Sequence, residues 1–416
     1  MRYHSINQLE IPLVADIQAR AFRRNAQAYL ESYREGGRVD WQALRLLEND
    51  HGQAVAAMTL FSRTMSLNGG ELEAGLVGSV AVPPEQRRRG FARRLMTDGL
   101  KELRAQKTPI SLLFPFSVAW YRRLGYGVAN FNWHFELSPR LFPDHEERMA
   151  VRQAGPDDAP GMRACYNRAR GFARNNGWLS RGDWEWQQRL WLPDHEIVVF
   201  EEDGRIQGYL VYELTWEPGD SVAKVLEWVS TSETAWRGLL AFLGALGEQV
   251  RTIIITVRPG SSLLAALSEP YDREDKPVEF VFYRTAQLIS GFMLRVVHLA
   301  EALQQRRYPH HVTVDLALAV DDRQLPANSA PCHVHIERGA AVVVPQQQDA
   351  GRLGKGVGFL PQVVTDMATF SELYAGVTSA KQARMAGRLQ ADDTACAALT
   401  AAFATAPLYM WPADWF

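Results

Sequence analysis

The chain has 416 residues, 47% of them apolar and 22% charged. That balance excludes intrinsic disorder, and the length exceeds one ordinary core, so roughly two to four domains are expected. Its 45 basic and 47 acidic side chains leave a net charge of −2. With no global positive field, no nucleic-acid partner is expected. Cys165, Cys332 and Cys396 are too scattered for a disulfide framework or a metal spacing, as in a reducing cytoplasm. The opening MRYHSINQLEIPLVADIQ lacks the apolar segment of a signal peptide, and no run reaches the roughly 18 apolar residues of a membrane span. A soluble, cytoplasmic protein without a membrane partner is the expectation.

Taken in order, a helical stretch follows Glu10, then apolar runs at 54–61 and 76–82, an Arg-rich helix, and a third run at 110–114. This alternation predicts a mixed α/β domain over residues 1–145, ending where LFPDHEER turns polar. From Ala150 the pattern begins again: a capped helix start, then strand candidates at 197–200, 207–213, 225–230 and 252–257. A duplicated fold over 146–290 is predicted. After Gly291, MLRVVHLAEALQQRRYP reads as one helix ending at a proline. VTVDLALAV, CHVHIERG and AAVVVP follow as strands, then two helical stretches and the aromatic tail PLYMWPADWF. These define a third α/β domain, 291–416, with a sheet carrying helices on one side.

The chemistry concentrates in GLVGSVAVPPEQRRRGFARRLMTDGLKEL. A strand ending at Val82 leads through Pro83-Pro84 to Arg87-Arg88-Arg89-Gly90-Phe91-Ala92 and into a helix. Ala92, Leu95, Met96, Leu100 and Leu103 form its apolar stripe, with Arg93, Arg94, Asp98 and Lys101 outside. A glycine at the turn leaves backbone N–H groups open to an anion, and the helix N-terminus adds positive partial charge, so a diphosphate fits. The same arginines also allow a solvated basic helix or a contact with RNA phosphates. About thirty residues on, SLLFPFSVAWYRRLGYG gives a strand at 112–116, a short helix with Tyr121, and Arg122-Arg123-Leu124-Gly125-Tyr126. Alone, Tyr121 reads as a core aromatic.

Together these segments resemble the GNAT superfamily of N-acetyltransferases. Its R/Q-x-x-G-x-G/A loop corresponds to Arg87–Ala92, and its aromatic-Tyr-x-x-x-Gly-aromatic element to Trp120, Tyr121, Gly125 and Tyr126. The resemblance implies that acetyl-CoA is the cosubstrate. Backbone near Val80 and Val82 would pair with the pantetheine arm, Arg87, Arg88, Gly90 and Ala92 would cradle the diphosphate, and Tyr121 would protonate the departing thiolate.

The whole chain resembles the narrower Eis (enhanced intracellular survival) family: an active acetyltransferase fold, a second copy without the loop, and a sterol-carrier-like domain. In the second copy the segment 231–238 has no arginine three residues before its glycine, so no acetyl-CoA is expected there. Family membership further implies that the carboxylate of the last residue, here Phe416, is the general base, and that the protein is a homohexamer. Tyr409, Met410, Trp411, Trp415 and Phe416 are costly to leave in water, which fits an ordered terminus. The implied reaction is direct attack of a primary amine on the thioester in a ternary complex. The amine would belong to an aminoglycoside-like compound, a polyamine or a lysine.

Aminoglycoside-acetylating members carry acidic groups near the first helix and before the last residue. This chain has Ala21-Phe22-Arg23-Arg24-Asn25 and Trp415 there, leaving Glu31, Glu35, Asp40 and Asp414 as alternative sources of charge. His333, His335, His310 and His311 complete no metal spacing, and no metal is expected. The stretch 178–191 is a ligand groove, a subunit contact or core. The competing class is a hydrophobic-ligand binder with a vestigial first domain, which the intact Arg87–Ala92 loop and Tyr121 oppose.

Overall fold

The computed structural model describes residues 1–33, 39–217, 220–271, 277–346 and 361–416. The first segment forms β1 (Arg2–Ser5), α1 (Ile11–Phe22), α2 (Ala26–Tyr33), β2 (Leu44–Glu48), β3 (Ala54–Leu67), β4 (Gly70–Ala81), α3 (Phe91–Ala105), β5 (Ile110–Leu113), α4 (Val118–Arg122) and β6 (Gly127–Val128). Next come β7 (Phe131–Leu137), β8 (Val151–Gln153), α5 (Ala159–Arg170), β9 (His195–Glu202), β10 (Arg205–Glu217), β11 (Asp220–Ser230), α6 (Glu233–Ala245), β12 (Thr252–Val257), α7 (Leu263–Ala266) and β13 (Gln287–Ser290). The last segment gives β14 (Met293–Val296), α8 (Leu299–Gln305), β15 (Val314–Asp321), β16 (Cys332–Glu337), β17 (Ala340–Pro345), β18 (Gln362–Asp366), α9 (Met367–Ala375), α10 (Ala380–Met385), β19 (Leu389–Gln390) and α11 (Asp393–Ala402). Among the described residues no helix is long and apolar enough to cross a membrane.

Local chemistry sets the boundaries. Before α1, Glu10 accepts from the Asn7 amide at 2.8 Å, and Pro12 stands in the first turn, where its missing N–H costs nothing. α3 follows directly on Gly90 and buries Phe91, Leu95, Met96, Leu100 and Leu103. Two stripe assignments change: Ala92 is only half-buried, and Asp98, placed outside the stripe, is buried beside Arg94 and Lys101.

Two seven-stranded sheets repeat one connectivity, β1-β2-β3-β4-β5-β14-β6 and β8-β9-β10-β11-β12-β7-β13. The duplicated mixed α/β fold is therefore present, but the sixth strands are exchanged. β7 lies in the second sheet between β12 and β13, and β14 lies in the first between β5 and β6. The chain accordingly divides into residues 1–130, 291–406 and 416 in one unit and 131–290 with 407–415 in the other.

This corrects the reading of MLRVVHLAEALQQRRYP as one helix. Its first residues are strand β14, buried throughout and paired on both edges, and only Leu299–Gln305 is helical. A continuous apolar run has the same composition in a buried strand and a buried helix, so periodicity does not separate them. The stretch 178–191 is mainly core, with Trp178, Trp186 and Leu190 buried. The third sheet, β17-β16-β15-β18-β19, keeps the expected alternation of buried and exposed residues. α9 is buried along its whole length, packing on β15 and β18 and also on β6 and β14.

β14 also carries Arg295 into the core. It donates two 2.8 Å bonds to the Asp322 carboxylate and one to the Leu124 carbonyl, all fully buried. Asp322 additionally accepts from the side chain of Asn328 and the amides of Gln324 and Leu325. Removing one partner leaves an uncompensated buried charge. Asp322→Ala is expected to lower the unfolding free energy of this unit by about 3–5 kcal/mol, read from the midpoint of its urea transition.

Candidate functional site

In the first sheet, β4 and β5 run parallel but pair only over Ala74–Leu76 against Ile110–Leu112. β4 then continues with β3 alone, and the ladder bulges: Thr59 faces Gly78 and Ala57 faces Ala81, so Met58 opposes both Ser79 and Val80. Ser79 takes a left-handed φ of 48°, which bends the strand. Its carbonyl accepts from Gln18 Nε2 at 3.4 Å. From Val77 to Ala81 the β4 edge away from β3 has no strand partner among the described residues, leaving backbone groups open to a ligand.

The strand ends in the arginine loop. Val80 and Val82 are half-buried at the rim of the core. The Arg87 guanidinium donates to the carbonyls of Val82 (3.2 Å) and Ala21 (3.1 Å), so its side chain braces the loop against the end of α1. Arg88 and Gly90 both take left-handed φ angles, 62° and 83°, and a methyl placed on Gly90 would meet nothing within 4 Å. No side chain caps α3, whose second residue is Ala92. Free helix N–H groups, an open glycine and exposed Arg88, Arg89 and Arg93 together form a positively charged helix start that is chemically suited to an anion.

Tyr121 sits in α4, which Ser117 caps by accepting from the Trp120 amide. Its ring packs among Phe116, Trp120 and Tyr126, and burial pushes its phenol well above the ordinary tyrosine range, with Tyr126 adding to the shift. No hydrogen bond from a described residue occupies its hydroxyl. The segment behind it is tied to the third domain. Arg122 pairs with Glu372 of α9, Ser371 donates to the Gly125 carbonyl, and Arg295 lies where a Gly125 side chain would be. A Cβ on Gly127 would come within 2.5 Å of the Ala368 carbonyl.

The terminal residue is ordered in the same unit. The Phe416 ring lies 5.8 Å from Phe61 and 5.4 Å from Phe114, at the end of β5. Its carboxyl carbon would lie 3.6 Å from a Cβ on Gly78, a position that Thr59 Oγ1 closes further at 2.6 Å. The carboxylate therefore rests over the strand just before the bulge. Gly78, Thr59, Phe61 and Phe114 were missed in the sequence. The available signal was a glycine inside an apolar strand, which marks a bulge or a close approach.

Of the alternative acidic groups, Asp414 is buried against Arg181 at 2.6 Å and is no free charge. Asp40 caps the turn at 41–43, Glu31 is exposed, and Glu35 lies outside the described residues. His335 bonds Asp315 on the neighbouring strand at 2.7 Å. Among the described residues, His4, Glu10 and Glu48 bring ligand-type atoms together, although Glu10 is held by Asn7 and His4, and Glu48 by Arg2.

Family models for the GNAT acetyltransferase domain match residues 2–129 and 177–296, and one for the sterol carrier protein domain matches 299–411. An uncharacterized N-acetyltransferase of Streptomyces avermitilis is 23% identical over 389 residues, 88% of this chain and 87% of that protein. Another, from Streptomyces griseus, is 24% identical over 303 residues, 65% of this chain and 68% of that protein. A GCN5-related N-acetyltransferase from Anabaena variabilis superposes with a TM-score of 0.84 at 20% identity, covering 100% of both chains. Eis1 from Mycobacterium abscessus gives 0.77 at 18%, again over 100% of both. The chain is an acetyltransferase of the GNAT type, with tandem GNAT folds and a sterol-carrier-like domain. Its three-part fold is shared, over the whole length, with that Eis1 structure.

Gly78→Val would fill the space beneath the terminal carboxylate. Acetyl transfer is expected to fall on the order of 10²-fold while the far-ultraviolet circular dichroism stays unchanged; both are measured on the same preparation.

Proposed function

We propose that the chain transfers an acetyl group from acetyl-CoA to a primary amine by direct attack in a ternary complex. The observation that carries this reading is the Phe416 carboxyl resting over Gly78, within the β4 edge that has no strand partner among the described residues. Acetyl-CoA supplies an acyl thioester, its diphosphate at Arg88, Gly90 and Ala92 with Arg87 bracing the loop, and its pantetheine arm along the backbone near Val80 and Val82. An α-carboxyl is ionised at neutral pH and accepts the proton of the substrate ammonium. The neutral amine then forms the C–N bond, a backbone N–H near Val82 polarises the carbonyl, and Tyr121 donates its O–H proton to the sulfur as the C–S bond breaks, the excess proton of the new amide nitrogen passing, directly or through water, back to the phenolate.

The acceptor is an aminoglycoside-like compound, a polyamine or a lysine side chain. Exposed apolar residues Val278, Phe280, Val281 and Phe282 support burial of that surface by further copies of the chain, in keeping with a homohexamer. A cytoplasmic location belongs to the same reading.

Thiol release from acetyl-CoA across aminoglycosides, polyamines and lysine peptides tests the proposal, with native protein set beside a form extended by one glycine after Phe416. Turnover of an amine by the native form and its loss in the extended one is the expected result. Equal turnover by both removes the terminal carboxylate from the mechanism. Because burial raises the Tyr121 phenol, it stays protonated through pH 10, so kcat should show no falling limb between pH 9 and 10. Tyr121→Phe should lower kcat by about 10²-fold.

A further inference from the structure

The second fold keeps a cleft where the first has its site. β11 and β12 also run parallel and pair only briefly, Val222–Lys224 against Thr252–Ile254. β11 then continues with β10 to Ser230, and a cleft of about 710 Å³ is lined by the ends of both strands. Crevices outside the carboxyl ends of such strands are where open α/β sheets take ligands. The volume suits a drug-sized molecule.

Its chemistry differs from that of the first fold. Ser232 Oγ accepts from the Ala235 amide at 3.1 Å, so the N-terminus of α6 is capped by its own side chain and offers no diphosphate seat. The walls are aromatic instead. Trp228 stacks on Trp236, centroids 5.7 Å apart and planes 10° from parallel, and Trp411 meets Trp178 and Tyr409 edge-on. Flat apolar faces of this kind accept a planar ring.

Several polar groups in the walls are donors that lack an acceptor. Among the described residues, the indole N–H groups of Trp228 and Trp411, residues only 6% and 7% exposed, have no hydrogen-bond partner, nor does the buried Ser261 hydroxyl. The guanidinium groups of Arg174 and Arg258 form no ion pair or hydrogen bond with a described residue. Burial, and then the nearness of Arg174, lower the pKa of Arg258, as expected where two cations meet without a counter-charge. Arg237 is different, being matched by Glu147 at 2.7 Å. Glu233 turns its carboxylate out to water.

We propose that this cleft binds a planar aromatic carboxylate, its ring against the tryptophan faces and its carboxylate held by Arg174 and Arg258. The cleft shares no residue with the acetyl-transfer site, and the proposal does not depend on that reading.

Calorimetric titration of the full chain with 2-naphthoate, in saturating CoA to fill the first fold's site, tests the proposal. One saturable site is expected, with neutral 2-naphthamide about tenfold weaker. Exposed Arg174→Gln, which leaves the core untouched, should weaken 2-naphthoate by about tenfold, and the Arg174→Gln, Arg258→Gln pair should weaken it further. Absence of saturable binding, equal affinity for acid and amide, or an affinity unchanged in Arg174→Gln would each overturn the proposal.

Discussion

Two parallel strands that pair for only three residues set the conditions for the rest of the first fold. Once β4 leaves β5 at Leu76, its polar backbone must find partners elsewhere. The bulge at Ser79 turns it further, and the loop that follows delivers Arg88 and Gly90 in left-handed conformations to the start of α3. A strand edge, a helix N-terminus and a terminal carboxylate over Gly78 thus converge because one ladder stops early.

The third domain supports this arrangement from behind. Glu372 takes Arg122 on one side and Arg388 at 2.7 Å on the other, so α9 fixes the turn that follows Tyr121. Gly125 and Gly127 are small because the Arg295 guanidinium and the α9 backbone occupy the space of their side chains. The second unit has its own buried charge cluster, Arg181 between Asp414 and Glu227, with Tyr166 and Tyr209 donating to the two carboxylates. One guanidinium cannot neutralise two buried carboxylates, and burial raises the pKa of Glu227. That cluster holds Asp414, two residues before the chain end.

Much of the site was legible because its chemistry is contiguous. Anion binding by a helix N-terminus needs arginine, glycine and an amphipathic run within a dozen residues, and that run stands intact from Arg87 to Leu103. The tyrosine element is equally compact. What escaped reading depends on distant pairing. Met293–Val296 is apolar whether strand or helix, and only its place between β5 and β6 decides. The exchange of β7 and β14 leaves no local mark. Gly78 acquires its meaning from Thr59 and Phe416, residues that tertiary structure alone brings to it. Asp414, by its sequence an alternative source of charge for the substrate, is instead paired with Arg181, a partner 233 residues away.

The most direct test of the central claim is a crystal structure of the full chain with CoA bound. The account predicts the diphosphate over Arg88–Ala92, the pantetheine arm along Val77–Ala81, and the thiol within hydrogen-bonding reach of Tyr121, with the Phe416 carboxylate still over Gly78. CoA bound away from the β4 edge, or a chain end displaced from Gly78 in the complex, would contradict it.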